Sequence, residues 1–418
     1  MNMRITISSP DGLGDFVLRM PLIQALLDAG HAVQLSLRRP AADLAAETFP
    51  DAECLEISAD PYHADTRRRK NPFRREHRAI RKFRPDLYVA SLFARNFYDE
   101  VWFEQDQWRL PVGGFSTGDA FWPPGTVTDP SRLAERFRFN VKVPVSLPEL
   151  EKNRLLGSAI LGHEMGTAIP RLAPHAVALE AARGILRQHG LREGEYWIAC
   201  VGHRSGIALK DWGEENWRAF FSEVIPGGNR PVVFLGNPKE SPSVERIRTG
   251  NFSSINLASE PPAIPVSTAL AALAAGYVGR DSGVMHMTCA VGRPVLAAFA
   301  GGHWGRFFPS SGPAVVVTQA MSCRMCDFVC PHERPHCITD ISLETMRRAW
   351  ERLPVTDGVE ILEQPRDPKI DTISQEAAQA FARDLAVKRT AKSSTAGTGW
   401  HRIKRYTAAF RKNCDQVR

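Results

Sequence analysis

The chain has 418 residues, beyond the roughly 250 to 300 at which a single hydrophobic core stops growing, so two domains are expected. Hydrophobic residues make up 43% and charged residues 24%, which excludes a disordered chain and supplies apolar surface for packed cores. The net charge of +7 is uneven: 66–84 hold ten Lys and Arg against Glu76, 386–418 hold nine against Asp415, and the rest is acidic, which excludes a protein basic throughout.

Residues 1–9 carry Arg4 before a short apolar run that soon meets Asp11, without the long apolar core of a signal peptide. No segment approaches the roughly 20 apolar residues of a membrane span, so a cytoplasmic protein is expected. Residues 4–8 read as a strand and 9–12 as a turn. Phe16, Met20, Ile23 and Leu27 then recur at helical spacing until Gly30 stops the helix. A strand at 32–37 completes a β-α-β unit, whose right-handed crossover makes its strands parallel.

Strands at 54–57 and 87–92 follow, with the basic stretch between them. Periodicity lapses over 144–170 among scattered Pro and Gly, which places a domain boundary near 165. Apolar runs at 196–201, 231–235, 255–257, 277–278 and 295–299 alternate with helical segments, the pattern of a doubly wound parallel sheet. After Pro365 come a helix at 374–387, a Ser/Thr/Gly-rich linker, and a basic segment with Trp400, Ile403, Tyr406 and Phe410 on one helical side. The expected division is 1–165 for acceptor binding, 166–355 for donor binding with a cysteine insertion at 323–337, and a tail over 356–418. There is no internal repeat and no Walker or dinucleotide fingerprint.

Ligands of open α/β sheets bind at the carboxyl ends of the strands, where this chain carries its polar turns. Gly279 to His286 reads as a strand end, a small-residue turn and a helix start. Ser282 and Gly283 leave backbone N–H groups open to a diphosphate, Asp281 serves as helix cap or reaches a donor hydroxyl, and His286 adds a hydrogen bond or a positive charge. Lys210 follows another strand end and suits a leaving nucleotide; Glu240 follows a third and either accepts from a ribose hydroxyl or caps the next helix. In the first half, Asp15 of Gly12-Leu13-Gly14-Asp15 occupies the matching turn, and a cleft carboxylate there can take the proton of an attacking hydroxyl. Each motif also fits an ordinary capped helix.

In order and spacing, residues 9–22, Lys210-Asp211-Trp212 with Trp217, Asp281-Ser282-Gly283 with His286, and Gly292-Arg293-Pro294 resemble glycosyltransferase family 9, the ADP-heptose:lipopolysaccharide heptosyltransferases and their relatives. The resemblance covers about 3–353. It implies a GT-B fold of two Rossmann-like domains facing a cleft, and inverting sugar transfer without a catalytic cofactor from an ADP-linked donor to a glycan or protein. It also implies Asp15 as base, Lys210 at the donor phosphates, and Asp281, Gly283 and His286 at the donor. Ser205 shares the phosphate role and Glu240 the ribose role. Ser282 stands where a Thr is common. The chain departs from the lipopolysaccharide-core enzymes at 301–307, which either places His303 or Arg306 in the cleft or is a plain tight loop, in its cysteines and in its basic tail. The alternatives are a GT-B nucleotide-sugar epimerase or hydrolase, and a binding protein with a degenerate site and a basic surface. Missing interleaved basic and aromatic residues disfavour nucleic acid.

Cys323, Cys326, Cys330 and Cys337 lie within fifteen residues, and the leading Cys-x2-Cys matches one edge of a tetrahedral site. Structural Zn is expected, with Fe as the alternative, and His332 or His336 can replace one thiol. The basic run at 71–84 suits an anionic acceptor. The tail is read either as a peripheral contact with the inner membrane or as disordered.

Overall fold

The computed structural model describes residues 2–62, 64–69, 71–93, 96–105, 110–115, 137–202, 208–225, 230–328 and 330–391. The expected basic segment at 400–410 and its membrane contact lie outside the described residues, as does Ser205.

Two all-parallel sheets organise the chain. The first contains β1 (Arg4–Ser9), β2 (Ala32–Arg38), β3 (Glu53–Ile57), β4 (Leu87–Ala90), β5 (Val112–Phe115) and β6 (Phe137–Val141), in the order β3-β2-β1-β4-β5-β6. The second contains β7 (Trp197–Cys200), β8 (Val232–Phe234), β9 (Ser254–Asn256), β10 (Gly276–Arg280), β11 (Val295–Ala298), β12 (Ala314–Thr318) and β13 (Val359–Glu363), in the order β13-β12-β11-β10-β7-β8-β9. Every pairing is parallel. Helices cover both faces of the second sheet, so β7 and β11 read as unbroken apolar runs and are buried throughout.

Its two core layers gather around Trp212, Trp217 and Phe220 on one side and Tyr196, Tyr277 and Met285 on the other. In the first domain Phe16, Ile23 and Leu35 centre the main layer, and Met287 and Ala290 of the second domain pack into it. The domains therefore meet through apolar surface, chiefly the helices Leu13–Asp28 and Gly283–Ala290.

The stretch expected to lack periodicity forms a helix, Glu149–Leu161, that packs on Leu13–Asp28. It carries charged residues on its buried face, so an apolar pattern was absent although Glu149 and Lys152 are both buried. β5, β6, β12 and β13 were also missed. β5 holds two glycines, and β13 is an edge strand with an exposed face, so neither shows an apolar run.

Candidate active site

Both sheets reverse their strand order beside the site. β1 lies between β2 and β4, and β7 between β10 and β8. At such switch points adjacent connections leave in opposite directions and open a crevice beyond the strand ends.

β1 ends at Ser9 and the first helix starts at Leu13. Asp15 is its third residue, and its Oδ2 accepts from the Gly12 N–H at 3.2 Å, satisfying one orphan donor of the helix end. Burial and then the Asp11 carboxylate raise its pKa, Arg19 opposes them, Glu149 adds, and the Gly12 N–H opposes again, leaving it at about 7. A carboxyl of that value is about half ionised at neutrality, and its ionised form is basic enough to take a hydroxyl proton.

Across the crevice Ser282, not Asp281, caps the helix Gly283–Ala290: its Oγ accepts from the Met285 N–H at 3.2 Å. Asp281 is left to accept from Lys210 Nζ at 2.6 Å. Lys210 closes the short turn Ala208–Lys210 beyond β7, and the chain is anchored just after it by Trp212, whose Nε1 donates to the Ile341 carbonyl at 2.7 Å. Burial disfavours the Asp281 carboxylate, but Lys210 and then His286 outweigh it and hold its pKa below the ordinary 3.8.

His286 is buried, with Nε2 at 3.9 Å from Asp281 Oδ1 and Nδ1 without a partner among the described residues. Burial lowers its pKa to about 4, so the ring is neutral at pH 7. The positive charge expected as one of its options is absent, and a hydrogen bond is what it can offer.

The two turns touch. A Cβ on Gly14 would stand 2.7 Å from the His286 ring, and one on Gly283 would stand 3.0 Å from Leu13 Cβ. Glycine at both positions lets two helix N-termini of opposite domains approach. Each brings backbone N–H groups and a positive dipole end, a setting for negative charge.

Glu240 begins the helix Ser241–Ile247 without capping it. Its Oε1 accepts from Arg280 Nη2 at 2.7 Å and its Oε2 from the Asn237 N–H at 3.0 Å, while Arg280 Nε donates to the Gly202 carbonyl at 2.9 Å. Arg280 thus ties the ends of β7, β8 and β10 together. Sequence reading missed it, because nothing in local spacing links it to a glutamate forty residues upstream.

His303 bonds within the second domain, whereas Arg306 reaches the first. His303 Nε2 bonds Asp327 Oδ1 at 2.7 Å. Arg306 crosses to the first domain, donating from Nε and Nη2 to Glu149 Oε1 at 2.8 and 2.6 Å and accepting from the Glu149 N–H at 2.9 Å. Lys152 Nζ joins the same oxygen at 2.6 Å and lies 4.3 Å over the Phe93 ring. Glu149 and Lys152 were not foreseen, although their i, i+3 spacing was visible.

Cys323, Cys326, Cys330 and Cys337 are all unoxidised and line one cavity of about 20 Å³ with His332 and His336. His332 Nε2 also contacts Ser374 Oγ at 2.8 Å, and His336 Nδ1 contacts Asp340 Oδ2 at 2.7 Å. Among the described residues, no three His, Cys, Asp or Glu side chains stand in a ready metal-holding array. No helix among them is long and apolar enough to cross a membrane.

Two doubly wound parallel-sheet domains meeting at their switch points define a GT-B protein. The model of glycosyltransferase family 9 (heptosyltransferase) matches residues 131–332, which bears out the resemblance read from the motifs over that part of the chain. Solved structures agree in fold. ADP-heptose lps heptosyltransferase II of E. coli is 16% identical with a TM-score of 0.62, covering 84% of this chain and 99% of its own. The family 9 glycosyl transferase of Veillonella parvula is 15% identical with a TM-score of 0.68, covering 85% and 98%. The E. coli heptosyltransferase WaaC, solved with ADP, is 14% identical with a TM-score of 0.56, covering 85% and 99%. Comparison with curated protein sequences returns no significant match.

Proposed function

We propose that this chain transfers a sugar from an ADP-linked nucleotide diphospho-sugar to a hydroxyl of an anionic glycan or protein acceptor, with inversion at the anomeric carbon. The reading rests on one observation: the Asp15 carboxylate, bonded among the described residues by Gly12 alone, faces the Lys210–Asp281–His286 cluster across two touching helix N-termini.

The donor diphosphate lies at the Ser282 and Gly283 N–H groups, where the helix end favours an anion. Lys210, held near the seat by Asp281, moves onto the phosphates and balances the charge of departing ADP. His286, neutral, contributes a hydrogen bond. Glu240, steadied by Arg280, takes a ribose hydroxyl, and Ser205 shares the phosphate role. Asp15 accepts the acceptor's hydroxyl proton as its oxygen bonds to the anomeric carbon. The carbon–phosphate oxygen bond breaks on the opposite face, so the configuration inverts.

Heptose is the first donor sugar to test, following the family description and the ADP-heptose enzyme of similar fold. The four cysteines hold structural Zn, or Fe, since all four line one cavity with two imidazoles and closed four-thiolate sites leave no position for substrate. A cytoplasmic enzyme meeting the inner membrane peripherally through its C-terminal basic segment completes the reading. Mass spectrometry of transfer and donor hydrolysis over a panel of ADP-, UDP-, GDP- and CDP-sugars tests it, with Asp15→Ala as control. Loss of transfer with retained ADP binding in Asp15→Ala is expected; wild-type transfer by that variant overturns Asp15 as base.

A further inference from the structure

Two carboxylates four residues apart, Asp11 in the turn before the first helix and Asp15 in its first turn, are followed four residues further along the helix by one cation, Arg19. On a helix, i and i+4 side chains are neighbours, so Arg19 is placed to pair with Asp15. It does not. The Arg19 guanidinium turns past Asp15 to Asp11, donating from Nη1 to Oδ1 at 3.1 Å and from Nη2 to Oδ2 at 2.7 Å, a two-point grip that fits the planar fork. Nη1 also contacts Ser9 Oγ, and Ser9 in turn donates to Asp11 Oδ1 at 2.8 Å. Arg19 is 3% exposed, so its charge could not be left to water. Its Nε has no partner among the described residues, so the whole grip is made through the two terminal nitrogens.

We infer that Asp11 is a positioning residue: it engages Arg19 and so keeps that cation off Asp15, leaving Asp15 an uncommitted carboxylate. This rests on reading Asp15 as the base. The same geometry separates the two carboxylates of the turn, Asp11 being occupied and Asp15 free for a substrate proton. Other groups around Asp15 do not substitute for this. Glu149 of the helix Glu149–Leu161 accepts from both Lys152 and Arg306. Tyr62, in the segment after β3, is within electrostatic range of both Asp11 and Asp15. His286 lies against Gly14 and is neutral. Arg19 is the cation nearest in sequence that would pair with Asp15 were Asp11 absent.

Carbodiimide coupling of glycine ethyl ester to the protonated Asp15 carboxyl, read by fragment mass spectrometry across pH 5–9, tests this on the full chain without any substrate. Asp11→Asn lowers the labelling midpoint by about one to two pH units, as an adjacent arginine does to a carboxyl. In an Arg19→Met background the same Asp11→Asn change shifts the midpoint by less than half as much, because the cation through which Asp11 acts is gone. Arg19→Lys keeps the charge but cannot grip Asp11 at two points, so it too lowers the midpoint; this variant serves if Asp11→Asn does not fold. Equal shifts in the two backgrounds, or an unchanged midpoint in Arg19→Lys, overturn the inference, since both are what Asp11 acting only by its own charge would give. The labelling reads Asp15 whether or not it is the base, so such a result leaves the base assignment standing. Wild-type transfer by Asp15→Ala would remove the base assignment and leave the labelling result intact.

Discussion

The His286 ring fills the space into which any side chain at Gly14 would project: a Cβ there would lie 2.7 Å from Cδ2. A residue of the first-domain turn and one of the second-domain turn are therefore fitted to each other at the point where Asp15 and Asp281 face the crevice. Neither ring nor helix backbone can give way cheaply, because His286 is buried and Gly14 is in the first turn of a packed helix.

Gly14→Ala should destabilise the fold by about 1–3 kcal/mol, the range for forcing an extra carbon into a packed contact. His286→Ala in the same chain should recover most of that loss, since the clash has only that partner within 3.6 Å. Urea unfolding of the two single variants and the double variant measures the coupling; additive losses would show that the contact is not what matters.

Lys210→Met should weaken ADP binding about 10- to 150-fold, the worth of roughly 1.5–3 kcal/mol for a hydrogen bond to a charged group. Titration calorimetry reads it, and the salt dependence of ADP binding should fall in the variant. Unchanged affinity would place the diphosphate elsewhere.

The rate should fall as pH drops through about 7, because Asp15 must be ionised to accept a proton and its pKa is raised to about that value. His286 adds no limb above pH 5, its pKa being lowered to about 4. The pH profile of kcat/KM in wild type and His286→Gln checks both statements, with the limb expected at the same place in each.

Glu149→Ala leaves Arg306 and Lys152 facing each other without their shared carboxylate in a buried setting. A loss of about 3–5 kcal/mol is expected, as for breaking a buried pair from one side. Burial raises the Glu149 pKa, but Arg306 and then Lys152 more than offset this and hold it below 4.5. A depressed folded-state value contributes stability above the unfolded value and loses it as pH falls below, so the wild type should lose this increment below about pH 4.5. Chemical denaturation at pH 4 and 7 measures it, and the difference should shrink in Glu149→Ala.

Cys326→Ser should release bound metal and lower the melting temperature while sparing transfer, if the four thiols share a structural ion. Elemental analysis for Zn and Fe beside a thermal melt reads both. Unchanged metal content and stability in the variant would remove the metal.

By itself the sequence determined the first β-α-β unit, the strands β7 to β11 of the second sheet and the turns holding Asp15, Lys210 and Asp281, because those features are local. An apolar run between turn residues, a small-residue turn before a helix and the order of short motifs are all readable within a few residues. The helix Glu149–Leu161 escaped because its buried positions include charges whose partners lie 157 residues away, as between Glu149 and Arg306. Which residue caps the helix Gly283–Ala290, which carboxylate Arg19 chooses, where Arg280 and Glu240 meet, and that His286 is buried and neutral were decided by tertiary structure alone. Those outcomes depend on desolvation and on long-range pairing. Neither is a property of neighbouring residues in the chain.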